Sequence, residues 1–310
     1  MDNKLKIFAE SLFTNYETRM YRKEKDSFLD HCEEEFAKLG YDVIVKEDRN
    51  MFCMTSKNLV AGALDADILI TAHYDTPGRN GFMLFLTPLT GMLLGSILFI
   101  LAVIFLPQIL AENIGGDFNW ARHINNFFIL IFLASIFLKN KHNHNDNTSG
   151  VLGVYKLAEF VSQNPELKAR CAFVLFDHEE VLPGLLGSRA FAKWRRQNHP
   201  DKAEGMVINL DCIGIGDVLT VMTKESHDGW HSIAGFLKNK GFDVRKVCGG
   251  LIATSDHAPF INGVSLLFQK RSLLGPLFIQ NIHSGRDKVC DLNQLERLCE
   301  AVYQYIDGSS

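Results

Sequence analysis

No residue from Asn80 to Ala111 carries a charge, a run of 32 positions in a chain of 310. Within it Thr87 is suited to cap a helix, Pro88 to occupy its first position and Pro107 to stop it. Pro88–Leu106 would span about 28 Å as a helix, close to the hydrocarbon thickness of a bilayer. A second apolar run, His123–Leu138, would span about 24 Å and needs tilt or local thinning to cross. Between them Gln108–Arg122 is polar and includes Trp120, a residue type favoured at membrane interfaces. Helices apolar on every side need lipid or a large protein surface around them. The expectation is therefore a two-helix membrane hairpin over residues 81–138, with a buried arm in a homodimer as the alternative.

Outside this insert the pattern is that of an ordinary α/β chain. Apolar runs of strand length occur at Asp42–Val45, Asp67–Thr71, Cys171–Phe176, Met206–Leu210, Val218–Met222, Val264–Gln269 and Leu277–Ile282. Helical stretches sit among them at Gly150–Gln163, Ser188–Gln197, His227–Lys240 and Leu292–Tyr305, and further helices precede Gly40. Near-continuous apolar strands alternating with helices predict a largely parallel sheet covered on both faces. The discontinuous segments 1–80 and 139–310 then form one catalytic domain.

Charge and cysteine usage narrow the setting. Net charge is −4 without a dense basic run, which argues against nucleic acid as a partner. The seven cysteines, Cys53 among them, are scattered and form no Cys-x-x-Cys pair, so reduced thiols in a cytosolic compartment fit best. Arg79, Lys139 and Lys141 lie on the domain side of the hairpin, whereas Arg122 in the connection is offset by Glu112 and Asp117. The positive-inside tendency places the catalytic domain on the cytoplasmic face of a cell's inner membrane.

Several apolar runs end in an acid or a histidine. The run ILITAHYD delivers His73 and Asp75, CAFVLFDHEE delivers Glu179 and Glu180, and MVINLD delivers Asp211. LFIQNIHSGRD brings His283 and Asp287, and HNDNTSG places Asp146 just before a helix. Ligands of open α/β sheets gather at the carboxyl ends of the strands, and histidines with carboxylates at that edge suit a metal of the zinc class. His73, Asp146, Glu180, Asp211 and His283 make five donors, enough for two metals if one carboxylate bridges. Two such metals can share a hydroxide and polarise a carbonyl, leaving Glu179 to move protons.

Taken in order, these motifs resemble the di-zinc aminopeptidases of metallopeptidase clan MH, family twenty-eight. The matching stretches are His73-Tyr74-Asp75, Asn145-Asp146-Asn147-Thr148-Ser149-Gly150, Glu179-Glu180 with Gly187-Ser188, Asn209-Leu210-Asp211, Ser255-Asp256-His257 with Phe260, and His283. The resemblance implies a three-layer α/β/α zinc-exopeptidase fold, two zinc ions and a peptide substrate. It implies His73 and Asp211 on one zinc, Glu180 and His283 on the other, Asp146 bridging, and Glu179 as general base. Asp75 would orient His73, while Asp256, His257 and Asp287 would lie near the substrate or behind the ligands. Two departures stand out: the apolar insert fills the gap after His73-Tyr74-Asp75, and Val181–Leu186 is about two residues longer than usual. His178, directly before the glutamate pair, is unusual too.

Other histidines have plainer readings. His142 and His144 sit beside Lys139 and Lys141 in a polar loop, and His227 with His231 reads as a solvated helix start. Alternatives to a membrane-anchored aminopeptidase are a carboxypeptidase, a dipeptidase, a glutaminyl cyclase-like acyltransferase with one zinc, or an inactive membrane scaffold.

Overall fold

The alternating apolar runs assemble into one twisted sheet in the computed structural model, which describes residues 3–49, 54–113, 118–181, 184–249 and 254–308. The chain begins with α1 (Asn3–Asn15), α2 (Arg22–Lys38), β1 (Val43–Arg49), β2 (Thr55–Gly62) and β3 (Ile68–His73). The insert follows as α3 (Thr87–Thr90), α4 (Met92–Asn113) and α5 (Phe118–Phe137). Then come α6 (Ser149–Ser162), α7 (Pro165–Arg170), β4 (Cys171–Phe176), α8 (Leu186–Asn198), β5 (Met206–Leu210) and β6 (Val218–Thr223). The chain closes with α9 (Asp228–Asn239), β7 (Val244–Cys248), β8 (Gly263–Arg271), β9 (Leu277–Phe278) and α10 (Leu292–Asp307). Cys53, Asp117 and Leu182-Pro183 lie outside the described residues.

The strand order is β1-β2-β4-β3-β5-β8-β6-β7, with β9 paired to β8. The centre, β4-β3-β5-β8, is parallel, and antiparallel pairs flank it. Both faces of the central strands are buried, and side-chain alternation assigns them to two cores. Ile68, Ile70, Phe173 and Leu175 face a large core with α1, α2, α6, α9 and α10. Leu69, Ala172, Val174 and Phe176 face a smaller one with Phe191 and Ala192 of α8. The result is the expected three-layer α/β/α arrangement.

Three expectations change. The helix expected over Pro88–Leu106 breaks at Gly91, and Thr87 is not its cap but lies inside α3, its hydroxyl donating to the Leu84 carbonyl. Pro107 does not stop the first apolar helix, because α4 continues through it to Asn113. A proline removes one intrahelical hydrogen bond, and the apolar run on both sides sustains the helix. The strand expected over Leu277–Ile282 shrinks to Leu277–Phe278. Asn281 and His283 adopt φ near +59° and +55°, which no strand continues through. The insert starts and ends side by side, with a bridge between Gly78 and Lys139.

One buried ion pair fastens α2 to the end of β4. Lys25 Nζ lies 2.6 Å from Asp177 Oδ1, with both side chains almost fully buried. Asp177 Oδ2 also accepts the Lys57 N–H. Removing one member of such a pair strands the other in a dry environment. Lys25→Met should therefore destabilise the protein by about 3–5 kcal/mol in denaturant unfolding. Breaking the exposed Lys38–Glu35 pair by Lys38→Met should change stability little.

Candidate metal centre

β3 has β4 on one side and β5 on the other, so three parallel strands end together at one edge. β3 closes on His73 opposite Phe176, the last residue of β4. Beyond Phe176 the chain turns through Asp177 and His178 to Glu179 and Glu180, and Asp211 follows β5 directly. Asp146 arrives from the turn that opens α6. Gly150 lets that turn press on the sheet, since a Cβ there would lie 2.3 Å from the Leu210 carbonyl oxygen. His283 enters from the loop after β9.

The five expected donors meet. His73 Nε2 lies 3.5 Å from Asp146 Oδ1 and 3.9 Å from Asp211 Oδ1. His283 Nε2 lies 3.1 Å from Asp146 Oδ2 and 3.3 Å from Glu180 Oε1. Donor atoms of His73, Asp146 and Asp211 fall within 4.8 Å of one another, and so do those of Asp146, Glu180 and His283. A third grouping joins His73 to Glu179 and Glu180. Asp146 Oδ2 is buried and accepts no hydrogen bond among the described residues, although it faces His283 Nε2. An orphaned carboxylate oxygen amid imidazole and carboxylate donors is what a zinc-class cation would satisfy.

A layer of supporting contacts holds these donors. The Asp75 carboxylate accepts the backbone N–H of Glu179 at 3.0 Å and of Glu180 at 3.1 Å, one on each oxygen. His73 Nδ1 stands 3.2 Å from the Asp75 carbonyl oxygen and 3.7 Å from its carboxylate. Asp75 thus aligns the glutamate pair as well as facing the histidine. Burial raises its pKa, but His73 and the charge of Lys25 outweigh that and hold it down to about 2. Asp287 accepts the N–H groups of Asn145 and Asp146, both at 3.0 Å, and so fixes the backbone beneath the shared carboxylate. Ser255 Oγ donates to Asp211 Oδ2 at 2.8 Å. Asp256 and His257, from the same segment, are fully buried, and their side chains make no hydrogen bond among the described residues.

Three contributors were invisible in the sequence. Arg19 is completely buried, donating from Nε to the Tyr74 carbonyl at 2.5 Å and from Nη2 to Thr148 Oγ1 at 3.0 Å. It ties together the loops that follow His73 and Asp146, and burial lowers its pKa to about 10. Asn80 Oδ1 lies 3.0 Å from His283 Nδ1, leaving Nε2 of that ring to the site. Met92 of α4 lines the cavity over the donors. No local pattern marks an isolated Arg, Asn or Met for such work.

The remaining histidines stay away from the centre. His144 stacks on Phe13 with centroids 4.1 Å apart. His178 Nδ1 meets Ser56 Oγ at 2.9 Å, and His227 caps α9 by accepting the Trp230 N–H. His231 turns to Ser226 and Lys246.

The family model that matches this chain is "Peptidase family M28", over residues 139–306, just over half of the sequence. The chain belongs to Peptidase family M28. The match begins where the insert ends and takes in Asp146, Glu179, Glu180, Asp211 and His283. Solved structures of the same fold include a Zn-dependent exopeptidase from Parabacteroides distasonis, with TM-score 0.64, 14% identity, and coverage of 98% of this chain and 97% of that one. The LapA aminopeptidase of Legionella pneumophila gives 0.63 at 15% identity, covering 99% of this chain and 70% of that one. The glutaminyl cyclase of Porphyromonas gingivalis gives 0.61 at 16%, covering 99% and 98%. No curated protein matches the chain. Membership of the M28 family implies zinc and a hydrolase acting on peptides.

Without metal, protons compete for the donors. Burial disfavours the charged form of His283, yet Glu180 and Asp146 hold its pKa well above the ordinary imidazole range. His73 is likewise raised against burial, by Glu179, Asp146 and Asp211. Protonated rings must lose their protons to bind zinc, so zinc binding should release protons and tighten from about pH 6 to about pH 8. Calorimetry in two buffers of different ionisation enthalpy measures both effects. An affinity that does not change with pH would contradict ligation by these histidines.

Proposed function

We propose that this M28 protein is a membrane-anchored aminopeptidase that uses two zinc ions to release N-terminal residues from peptides. One observation carries the reading: Asp146 offers one oxygen to the His73 side of the site and the other to the His283 side. His73 and Asp211 would hold one ion, Glu180 and His283 the other, and Asp146 both. Zinc bound there supplies Lewis acidity, lowering the pKa of a water and polarising the peptide carbonyl.

Glu179 lines the same cavity and does the proton work. Its backbone is fixed by Asp75, which keeps the side chain beside the donors. Burial, with the neighbouring Glu180, Asp256 and Asp211, pushes its pKa well above the ordinary carboxylate value, against the lowering by His73. A carboxyl with raised proton affinity suits a base that takes a proton from attacking water and gives it to the departing amine. Glutaminyl cyclases share this fold, and zinc stoichiometry separates the readings, because the cyclase-like alternative needs one ion.

Two spans, Met92–Asn113 and Trp120–Phe137, are long and apolar enough to cross a membrane, and 11% of each is buried. α4 exposes Ile97, Ile100, Leu101, Ile104 and Phe105 to the surroundings. In water that surface would be costly, whereas in lipid it is solvated. The reading puts the catalytic domain against the cytoplasmic face of the membrane.

Glu179→Gln should lower turnover of aminoacyl-anilides by about 10²–10⁴-fold while zinc content is kept. Glu180→Gln should lose zinc as well, and chelation of the intact enzyme should abolish hydrolysis. Near-normal turnover in Glu179→Gln would overturn its role, and zinc loss there would make it a ligand. The intact protein should sediment with membranes and require detergent for release. A soluble monomer would contradict the anchor, and a soluble dimer that falls apart without residues 81–138 would favour the buried arm.

A further inference from the structure

The insert is built into the site before it leaves the domain. Gly81 N–H donates to the His283 carbonyl at 2.8 Å, one residue after Asn80 meets the same histidine's ring. α3 is then fastened to the turn between β8 and β9, where the N–H groups of Leu273 and Leu274 donate to the carbonyls of Pro88 and Leu89. Gly91 follows with φ +85°, and a Cβ there would lie 2.5 Å from Pro276 Cβ. Glycine at this point lets α4 start hard against the catalytic domain.

As a result the first turn of α4 is a wall of the catalytic cavity. Met92, Leu93 and Ser96 line the same space of about 390 Å³ as His73, Glu179 and His283. Met92 and Ser96, four residues apart, share a helix face. The Ser96 hydroxyl donates back to the Met92 carbonyl at 2.8 Å, so its polarity is spent within the helix. Met222, Leu267 and Ile279 line the same cavity. The nearby polar pair Thr220 and Gln269 is internally bonded at 2.6 Å. The cavity's charged groups, Asp146, Glu179, Glu180, Asp211 and the two histidines, are those of the metal centre, whereas the wall that includes Met92 is apolar.

We propose that Met92, with Leu93, is the specificity wall for the substrate residue held at the metal centre, and that this wall selects large apolar residues such as leucine, methionine and phenylalanine. The inference rests on the aminopeptidase reading and adds the substrate class. A charged side chain laid on this wall would lose water and find no partner in the wall itself, whereas an apolar one gains burial. Methionine, flexible and polarisable, adapts to differently shaped apolar groups. Both the membrane hairpin and the pocket then draw on one helix, α4.

The test uses the intact, zinc-loaded protein in detergent and compares kcat/KM for leucyl-, phenylalanyl-, alanyl- and lysyl-anilides. The wild type should favour leucyl over alanyl by about tenfold or more and hydrolyse lysyl poorly. Met92→Ala should lower the leucyl-to-alanyl ratio about tenfold, and Met92→Trp should lower the phenylalanyl-to-alanyl ratio at least as much. Leu94→Ala, on an exposed part of the same turn, should leave the ratios as they are. An equal fall for all substrates in both Met92 variants, unchanged ratios, or a wild type that favours lysyl would overturn the inference alone. A wild type that cleaves no aminoacyl-anilide would overturn the aminopeptidase reading and this inference with it.

Discussion

Six carboxylates crowd one end of the sheet: Asp75, Asp146, Glu179, Glu180, Asp211 and Asp256. Charged groups taken from water are tolerated only when paired, bonded or neutralised by a cation. Asp75 spends both oxygens on backbone N–H groups, and Asp211 takes a hydroxyl from Ser255. Asp146 keeps an oxygen that faces His283 Nε2 and accepts no hydrogen bond among the described residues. His73 and His283 oppose this negative charge from two sides, and the surrounding carboxylates raise their pKa against the effect of burial. A divalent metal offsets that charge better than a proton, because it accepts several donors at once. The fold around the site serves this arrangement, with Arg19 tying its loops and Asp287 fixing the backbone of Asp146.

The same arrangement explains why the insert cannot be treated as a detachable anchor. The residue before it, Asn80, steadies His283, its first residue, Gly81, donates to that histidine's carbonyl, and its long helix opens against the cavity. Insertions in surface loops ordinarily leave a core untouched. Here the insert begins at Gly81, eight residues after His73 at the end of β3, so the added segment starts within reach of the donors. On the proposed reading, attachment and substrate choice are properties of one stretch of sequence.

What the sequence disclosed follows from the physics of each part. Cys171–Phe176 and Met206–Leu210 are legible as strands because both faces are covered and the runs are apolar throughout. β2 begins Thr-Ser-Lys-Asn and is not among the strand-length apolar runs of the sequence. Its Asn58 is nonetheless fully buried, donating to the Gly187 carbonyl and accepting the Asp177 N–H, a tertiary role that no local pattern signals. The donors were legible because His, Asp and Glu at strand ends are expensive unless used. Asn80 was not, since its partner lies 203 residues away. Nor were Met92 and Leu93, which only the cavity they line sets apart from the rest of the apolar run.

The central claim is that Asp146 is shared between two metal ions. Anomalous diffraction at the zinc absorption edge from crystals of the zinc-loaded protein tests it most directly. The account predicts two peaks, one against His73 and Asp211 and the other against Glu180 and His283, each within bonding distance of a different oxygen of Asp146. A single fully occupied peak, or two peaks of which one does not touch Asp146, would contradict it.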